Sequence, residues 1–168
     1  DRLLIVDAVQ SFGIVDDDYT PADVIVGHAY KWLRAGRGTG FAWFSARARE
    51  RIAPVLSGFA GVEGGLPVDD LPAPASGANA YTVCQPDQLA VGRLATAVQE
   101  IADTGVAAIE AAVAERVDAI IEIADRHGVH VRSPRSRASR AGIVALAPAE
   151  PARLAAALVN AGVTATTR

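Results

Sequence analysis

The sequence predicts an α/β protein. Three observations lead there: short apolar runs without polar alternation near the start, a long stretch of helical periodicity beyond Pro86, and renewed alternation of strand and helix patterns after Gly128. Composition agrees, since 51% of the 168 residues are hydrophobic and 21% charged, which excludes disorder and collagen-like repetition. Sixteen basic residues against nineteen acidic ones, a formal net charge of -3, argue against nucleic acid or a membrane surface as the main partner.

Each element has its own signal. Leu3-Leu4-Ile5-Val6 reads as a strand covered on both faces, ending at Asp7. Ala22-Asp23-Val24-Ile25-Val26-Gly27 repeats the theme, and Gly40-Phe41-Ala42-Trp43-Phe44 supplies a third strand after turn glycines at 36 and 38. Ser45 then precedes a capped helix from Ala46 that stops near Pro54. Residues 57–80, rich in Gly and Pro, predict a long loop or hinge, so the boundary is expected there: a first unit over 1–80 and a second over 81–168.

Beyond Pro86, Leu89, Leu94, Val98 and Ile101 share one helical face. Gly105 interrupts, and Ile109, Val113, Val117, Ile120 and Ile121 resume until Gly128. Val129-His130-Val131 and Gly142 to Leu146 read as strands, Arg153 to Val159 as a helix ended by Gly162, and Val163 to Thr166 as the start of a further strand. The chain has no Met, begins inside an apolar run and stops without a polar tail, so both ends read as cuts in a longer protein.

Several residues carry little functional weight alone. Cys84 is the single cysteine and cannot form an internal disulfide, which suits a reducing compartment. With only His28, His127 and His130 beside it, no metal site has recognisable ligand spacing. Cys84 reads as a small, partly buried residue, and the arginine run from Arg132 to Arg140 as a solvated loop. No apolar run approaches the roughly 18 residues that span a bilayer, and the cytoplasm is the expected location.

One constellation stands out. Asp7-Ala8-Val9-Gln10 follows the first strand, and Lys31 stands 24 positions after Asp7, just past the second, in Gly27-His28-Ala29-Tyr30-Lys31-Trp32-Leu33. A lysine beside an apolar wall is readily the free amine that condenses with an aldehyde. A carboxylate at a neighbouring strand end can hold the ring nitrogen of a pyridoxal cofactor protonated, which makes the ring an electron sink. Taken singly, Asp7 is an ordinary turn former and Lys31 a surface lysine; only the set points to chemistry.

The Asp-x-x-Gln of Asp7 and Gln10, with Tyr30-Lys31-Trp32-Leu33 and its continuation Ala35-Gly36-Arg37-Gly38, resembles the class V aminotransferase group of fold-type-I pyridoxal-phosphate enzymes, which includes cysteine desulfurases, kynureninases and C–S lyases. The resemblance spans nearly the whole chain. It implies the end of a large domain with a mixed, mostly parallel sheet over 1–80 and a small C-terminal α/β domain over 81–168. It further implies pyridoxal 5'-phosphate as cofactor, Lys31 as the catalytic Schiff-base residue, Asp7 on the pyridine nitrogen, Gln10 on the phenolic oxygen, and Tyr30 and His28 at the phosphate. His28 departs from the commoner Ser or Thr, and Cys84-Gln85-Pro86 departs from a Gly-Thr-Pro that reaches the partner subunit's phosphate.

An amino-acid substrate and a homodimer are implied with it. The family's phosphate turn and ring-stacking residue are expected before Asp1, and its substrate-carboxylate arginine shortly after Arg168. Transamination and C–S or C–C lysis both remain open, although the lack of a Cys after Cys84 argues against a desulfurase. The competing reading is a non-catalytic α/β ligand-binding or interaction module, and bound-cofactor colour separates the two.

Overall fold

The computed structural model describes residues 2–64, 70 and 72–167. Asp1, Arg168 and the parts of the expected hinge at 65–69 and 71 lie outside the described residues. The chain packs as two units, Asp1–Val106 and Ala107–Arg168.

In the first unit β1 (Ile5–Asp7), β2 (Val24–His28) and β3 (Gly40–Phe44) form a sheet in the order β1-β2-β3. β1 runs parallel to β2 with Asp7 opposite Val26, and β2 runs antiparallel to β3 with His28 opposite Gly40. The sheet is therefore mixed, with one parallel and one antiparallel pairing among the described residues. Central β2 buries Val24, whereas Ile5 in β1 is 61% exposed and Leu4 just before it 49%. The cover expected on both faces of this apolar run is not supplied among the described residues, where β1 has a hydrogen-bonded neighbour on one side only.

Ser45 caps α1 (Ala46–Arg51) as expected, its hydroxyl accepting from the Ala48 N–H. The hinge is more structured than its composition suggests. Val62 bridges Pro74, flanked by bonds from Glu63 N to Ala73 O and from Ala75 N to Gly61 O, both 2.9 Å. Beyond it Tyr81 stacks on Phe44 at 4.3 Å and donates its hydroxyl to Ile52 O at 2.7 Å.

α2 (Gln88–Thr104) is capped by Asp87, whose carboxylate accepts from Leu89 N and Ala90 N. It buries Ala90 and partly buries Leu94, Val98 and Ile101, while Leu89, expected on the same face, is 77% exposed in the first turn. Ile101 lies against Gly13, and Arg93 Nε donates to Ala35 O at 3.2 Å. These contacts pack α2 in the first unit, which runs to Val106.

Gly105, with φ 85, separates α2 from α3 (Val106–Arg126). In the second unit β4 (His130–Val131) pairs antiparallel with β5 (Leu146–Ala147). Val117, Ile121, Ala124 and Val131 form its core, with Val113, Val129, Val144 and Leu146 packed around them. The strand expected from Gly142 shortens to Leu146–Ala147 because the Ser133 hydroxyl accepts the Ala145 N–H at 2.8 Å where a ladder bond would form. α4 (Pro151–Asn160) matches expectation, whereas Val163 to Thr166 pairs with no strand among the described residues. The arginine run is not merely solvated: Arg135 bridges Asp125 in two bonds of 2.6 and 2.7 Å, and Arg137 and Arg140 both pair with Asp118.

A buried acid ties the sheet to α1. Asp23, 3% exposed, accepts from Leu4 N at 2.8 Å, Ser45 Oγ at 3.2 Å and Arg47 Nε at 2.8 Å, and pairs again with Arg47 Nη2. Hydrogen bonding from Arg47, then from the Leu4 amide, holds the carboxyl down at about 2 from an ordinary 3.8, against the opposing effect of burial. Because the folded value is the lower one, this group's stabilisation is complete above about pH 4 and is lost as pH falls from 3.8 towards 2. Wild type is expected to lose melting temperature over that window by a step that Asp23→Asn, already less stable at pH 7, does not show. Superimposable melting-temperature profiles of the two proteins from pH 7 to 2 would refute the clamp.

Gly27 is required by its cross-strand partner. A Cβ there would lie 2.2 Å from Phe41 Cε1, and the Phe41 ring is itself packed on Phe12 at 4.6 Å. Gly27→Ala is expected to cost about 1–3 kcal/mol in urea unfolding, with part recovered by adding Phe41→Leu. Wild-type stability in Gly27→Ala would show that the ring yields freely.

Candidate functional site

The parallel pairing of β1 and β2 is what assembles the candidate residues. Two parallel strands in register release their chains at the same sheet edge, and such C-terminal edges are where α/β sheets place ligands. Ala8 N donates to Val26 O at 2.8 Å, extending the ladder one residue past Asp7. The chain then turns, with Ser11 N and Phe12 N both donating to Ala8 O. Asp7 Oδ1 accepts from Val9 N at 3.0 Å, so the exposed carboxylate is oriented by its own turn. Gln10 is exposed in the same turn.

β2 ends at His28, and a second turn begins. Ala29 N donates to Thr39 O at 3.1 Å, Arg34 N to Lys31 O at 3.1 Å and Ala35 N to Ala29 O at 2.9 Å. Ala29, Leu33 and Ala35 point inward and are buried; Tyr30 is exposed and Lys31 half-buried. Arg34 takes φ 53, a left-handed conformation uncommon for a side chain of that size, which the surrounding bonds impose. His28 Nδ1 accepts from Tyr30 N at 3.1 Å, which assigns the neutral imidazole proton to Nε2. The His28 and Tyr30 rings meet edge to face at 4.0 Å, and the Arg37 guanidinium lies 4.8 Å from the Tyr30 ring centroid.

Asp7, Gln10, His28, Tyr30 and Lys31 thus come to one edge of one sheet. His28 and Tyr30 touch directly, while the two turns are joined through Trp32, whose indole N–H donates to Gly13 O at 3.1 Å. Among the described residues no hydrogen bond or ion pair links Asp7 or Gln10 to Lys31. Trp32, Gly13, Arg93 and Arg37 are contributors that the sequence reading missed or left without a role. The Gly-Arg-Gly spacing around Arg37 was a readable signal; the tertiary contacts of Trp32 and Arg93 were not.

Other candidates fall away. Cys84 is exposed, not the partly buried residue expected, because it follows the last turn before α2. Among the described residues no group of three or more His, Cys, Asp or Glu could hold a metal ion, and no helix is long and apolar enough to cross a membrane.

With this geometry in view, the match to solved structures is informative. The chain is similar to an apo cysteine desulfurase from Thermococcus onnurineus NA1, with a TM-score of 0.83 at 23% identity over 96% of this chain and 41% of that one. In fold, this chain resembles cysteine desulfurases. It is likewise similar, at a TM-score of 0.80, to a mutant of C-DES with glycine covalently linked to its PLP cofactor, at 18% identity over 95% of this chain and 42% of that one. A third similar structure is the cystine C–S lyase C-DES in complex with its product cysteine persulfide, at 20% identity and a TM-score of 0.80, over 95% of this chain and 43% of that one. The chain therefore spans about two fifths of the length of these structures. No protein-family model matches it, and no curated protein does.

Proposed function

We propose that the protein is a pyridoxal-phosphate-dependent enzyme acting on an amino acid, with Lys31 as its Schiff-base residue. One observation carries the reading: Asp7 and the Lys31 turn leave adjacent parallel strands at the same edge. A pyridine ring that bears an aldehyde on one side and a nitrogen on the other needs an amine and a carboxylate facing each other from two separate supports. Neighbouring strand ends supply that donor set, so the residues fit the group. When bound, pyridoxal phosphate supplies an electron sink conjugated to the substrate's Cα.

The chain's own groups divide the remaining work. Asp7, oriented by the Val9 amide, keeps a proton on the ring nitrogen through a charge-assisted bond. Gln10 takes the phenolic oxygen. His28, with Nε2–H free to donate, and the Tyr30 hydroxyl serve the phosphate. Lys31 Nζ would hold the group through its aldehyde and, as an amine, would carry the substrate's Cα proton. Transamination and C–S or C–C lysis are the reaction types in question, and homodimeric assembly and a cytoplasmic location belong to the same proposal on the family resemblance.

Borohydride reduction tests it. The full-length protein mixed with pyridoxal phosphate is expected to gain visible absorbance and, after reduction, a stable label mapped to Lys31. No colour and no label would leave the non-catalytic module. Product analysis then separates the branches: a keto acid with a pyridoxamine form for transamination, pyruvate with ammonia for C–S lysis, alanine for C–C lysis of the kynureninase kind.

A further inference from the structure

Arg37 has no role in the functional reading above, yet it is built into the same turn. It stands between Gly36 and Gly38, whose φ values of 84 and 90 give a backbone path that L side chains rarely adopt. The base of this turn is fixed, because Arg93 Nε on α2 donates to Ala35 O and Ala35 N donates back to Ala29 O. The Arg37 guanidinium carbon lies 4.8 Å from the centroid of the Tyr30 ring, and the Tyr30 and His28 rings meet edge to face. His28, Tyr30 and Arg37 therefore form one cluster in the turn that carries Lys31.

The cluster leaves the hydrogen bonding of Arg37 unspent. Arg37, like several other arginines and unlike Arg47, Arg135, Arg137, Arg140 and Arg153, has no acidic partner among the described residues. A guanidinium beside an aromatic ring, with no carboxylate on it, keeps N–H groups to offer, and their fork matches the two oxygens of a carboxylate or a phosphate. Holding the group over an aromatic ring in advance also lowers the ordering cost of that capture.

We propose that Arg37 is the anion-recognition residue of the Lys31 site, binding a carboxylate or phosphate through its guanidinium edge with Tyr30 as its platform. The assignment of that anion to the site's own ligands rests on the pyridoxal-phosphate reading. Two sources share the chemistry, the phosphate of the cofactor and an acidic group on the substrate, and the experiment separates them.

The full-length protein and its Arg37→Gln and Arg37→Lys variants are compared, with circular dichroism confirming the fold. Spectral titrations use pyridoxal phosphate against pyridoxal, and aspartate against alanine. Loss of about 10- to 100-fold in affinity for pyridoxal phosphate but not pyridoxal in Arg37→Gln, partly restored in Arg37→Lys, supports the proposal with the cofactor as source. The same loss for aspartate but not alanine supports it with the substrate as source. Unchanged selectivity in both pairs overturns it. A readout independent of cofactor is protection of Arg37 from an arginine-selective dicarbonyl reagent by inorganic phosphate or succinate, read by peptide mass. If wild type binds no pyridoxal phosphate, the functional reading fails by itself, and this protection still decides Arg37: its presence supports anion recognition and its absence overturns it.

Discussion

Replacing Lys31 by Ala in the full-length protein is expected to abolish the visible absorbance formed with pyridoxal phosphate and the borohydride-stable label, and to lower turnover by at least about 10²-fold. The amine is both the covalent partner of the aldehyde and the carrier of the Cα proton, so one truncation removes two functions. Stability is expected to change by no more than about 0.5 kcal/mol. The reason is local: the turn is held by backbone bonds from Arg34 and Ala35 and by the Trp32 indole, none of which uses the Lys31 side chain. A variant that melts with wild type but stays colourless confirms the assignment. Turnover equal to wild type in a folded Lys31→Ala protein sinks it.

How much of this was legible in the sequence depends on whether the signal was local. That Asp7 and Lys31 each stand just past a strand was legible, because strand ends are punctuated within a few residues, whereas their pairing as a site was read from the joint motif and its family resemblance. The Ser45 cap, the break at Gly105 and the end of α3 before Gly128 were legible for the same reason. The Asp23 clamp was not. Its partner Arg47 lies 24 residues away, and only the oddity of an acid inside Ala22-Asp23-Val24-Ile25-Val26 hinted that something must satisfy it.

Strand order and helix allegiance were also hidden. Leu4 and Ile5 read as core because they belong to an apolar run without polar alternation, whereas their exposure follows from β1 having one hydrogen-bonded neighbour among the described residues. α2 was read with the second unit, whereas Ile101 meets Gly13 and Arg93 meets Ala35, contacts across long stretches of chain. The arginine run offered a better clue than was used. Asp118 and Asp125 stand seven residues apart on α3, two helical turns on one face, and that face receives Arg135, Arg137 and Arg140.

The contrast between two aspartates gives the sharpest remaining test. Asp7→Asn preserves an oxygen acceptor for the Val9 amide, so its turn and the fold are expected to survive, while the negative charge that holds the ring-nitrogen proton is gone. Removing that charge-assisted contact is expected to slow Cα proton exchange by about 10²-fold, with pyridoxal phosphate still bound through Lys31. Asp23→Asn is expected to do the reverse, because its carboxylate is engaged with Leu4, Ser45 and Arg47 inside the protein: stability falls, and exchange per folded, cofactor-loaded molecule stays near wild type. Single-turnover exchange of the substrate's Cα proton into deuterated water, set beside urea unfolding for both variants, reads the two effects separately. Unchanged exchange in a folded Asp7→Asn protein would remove Asp7 from the ring nitrogen, and equal slowing by both substitutions would mean that the exchange loss reports loosening of the sheet edge rather than the loss of a charge.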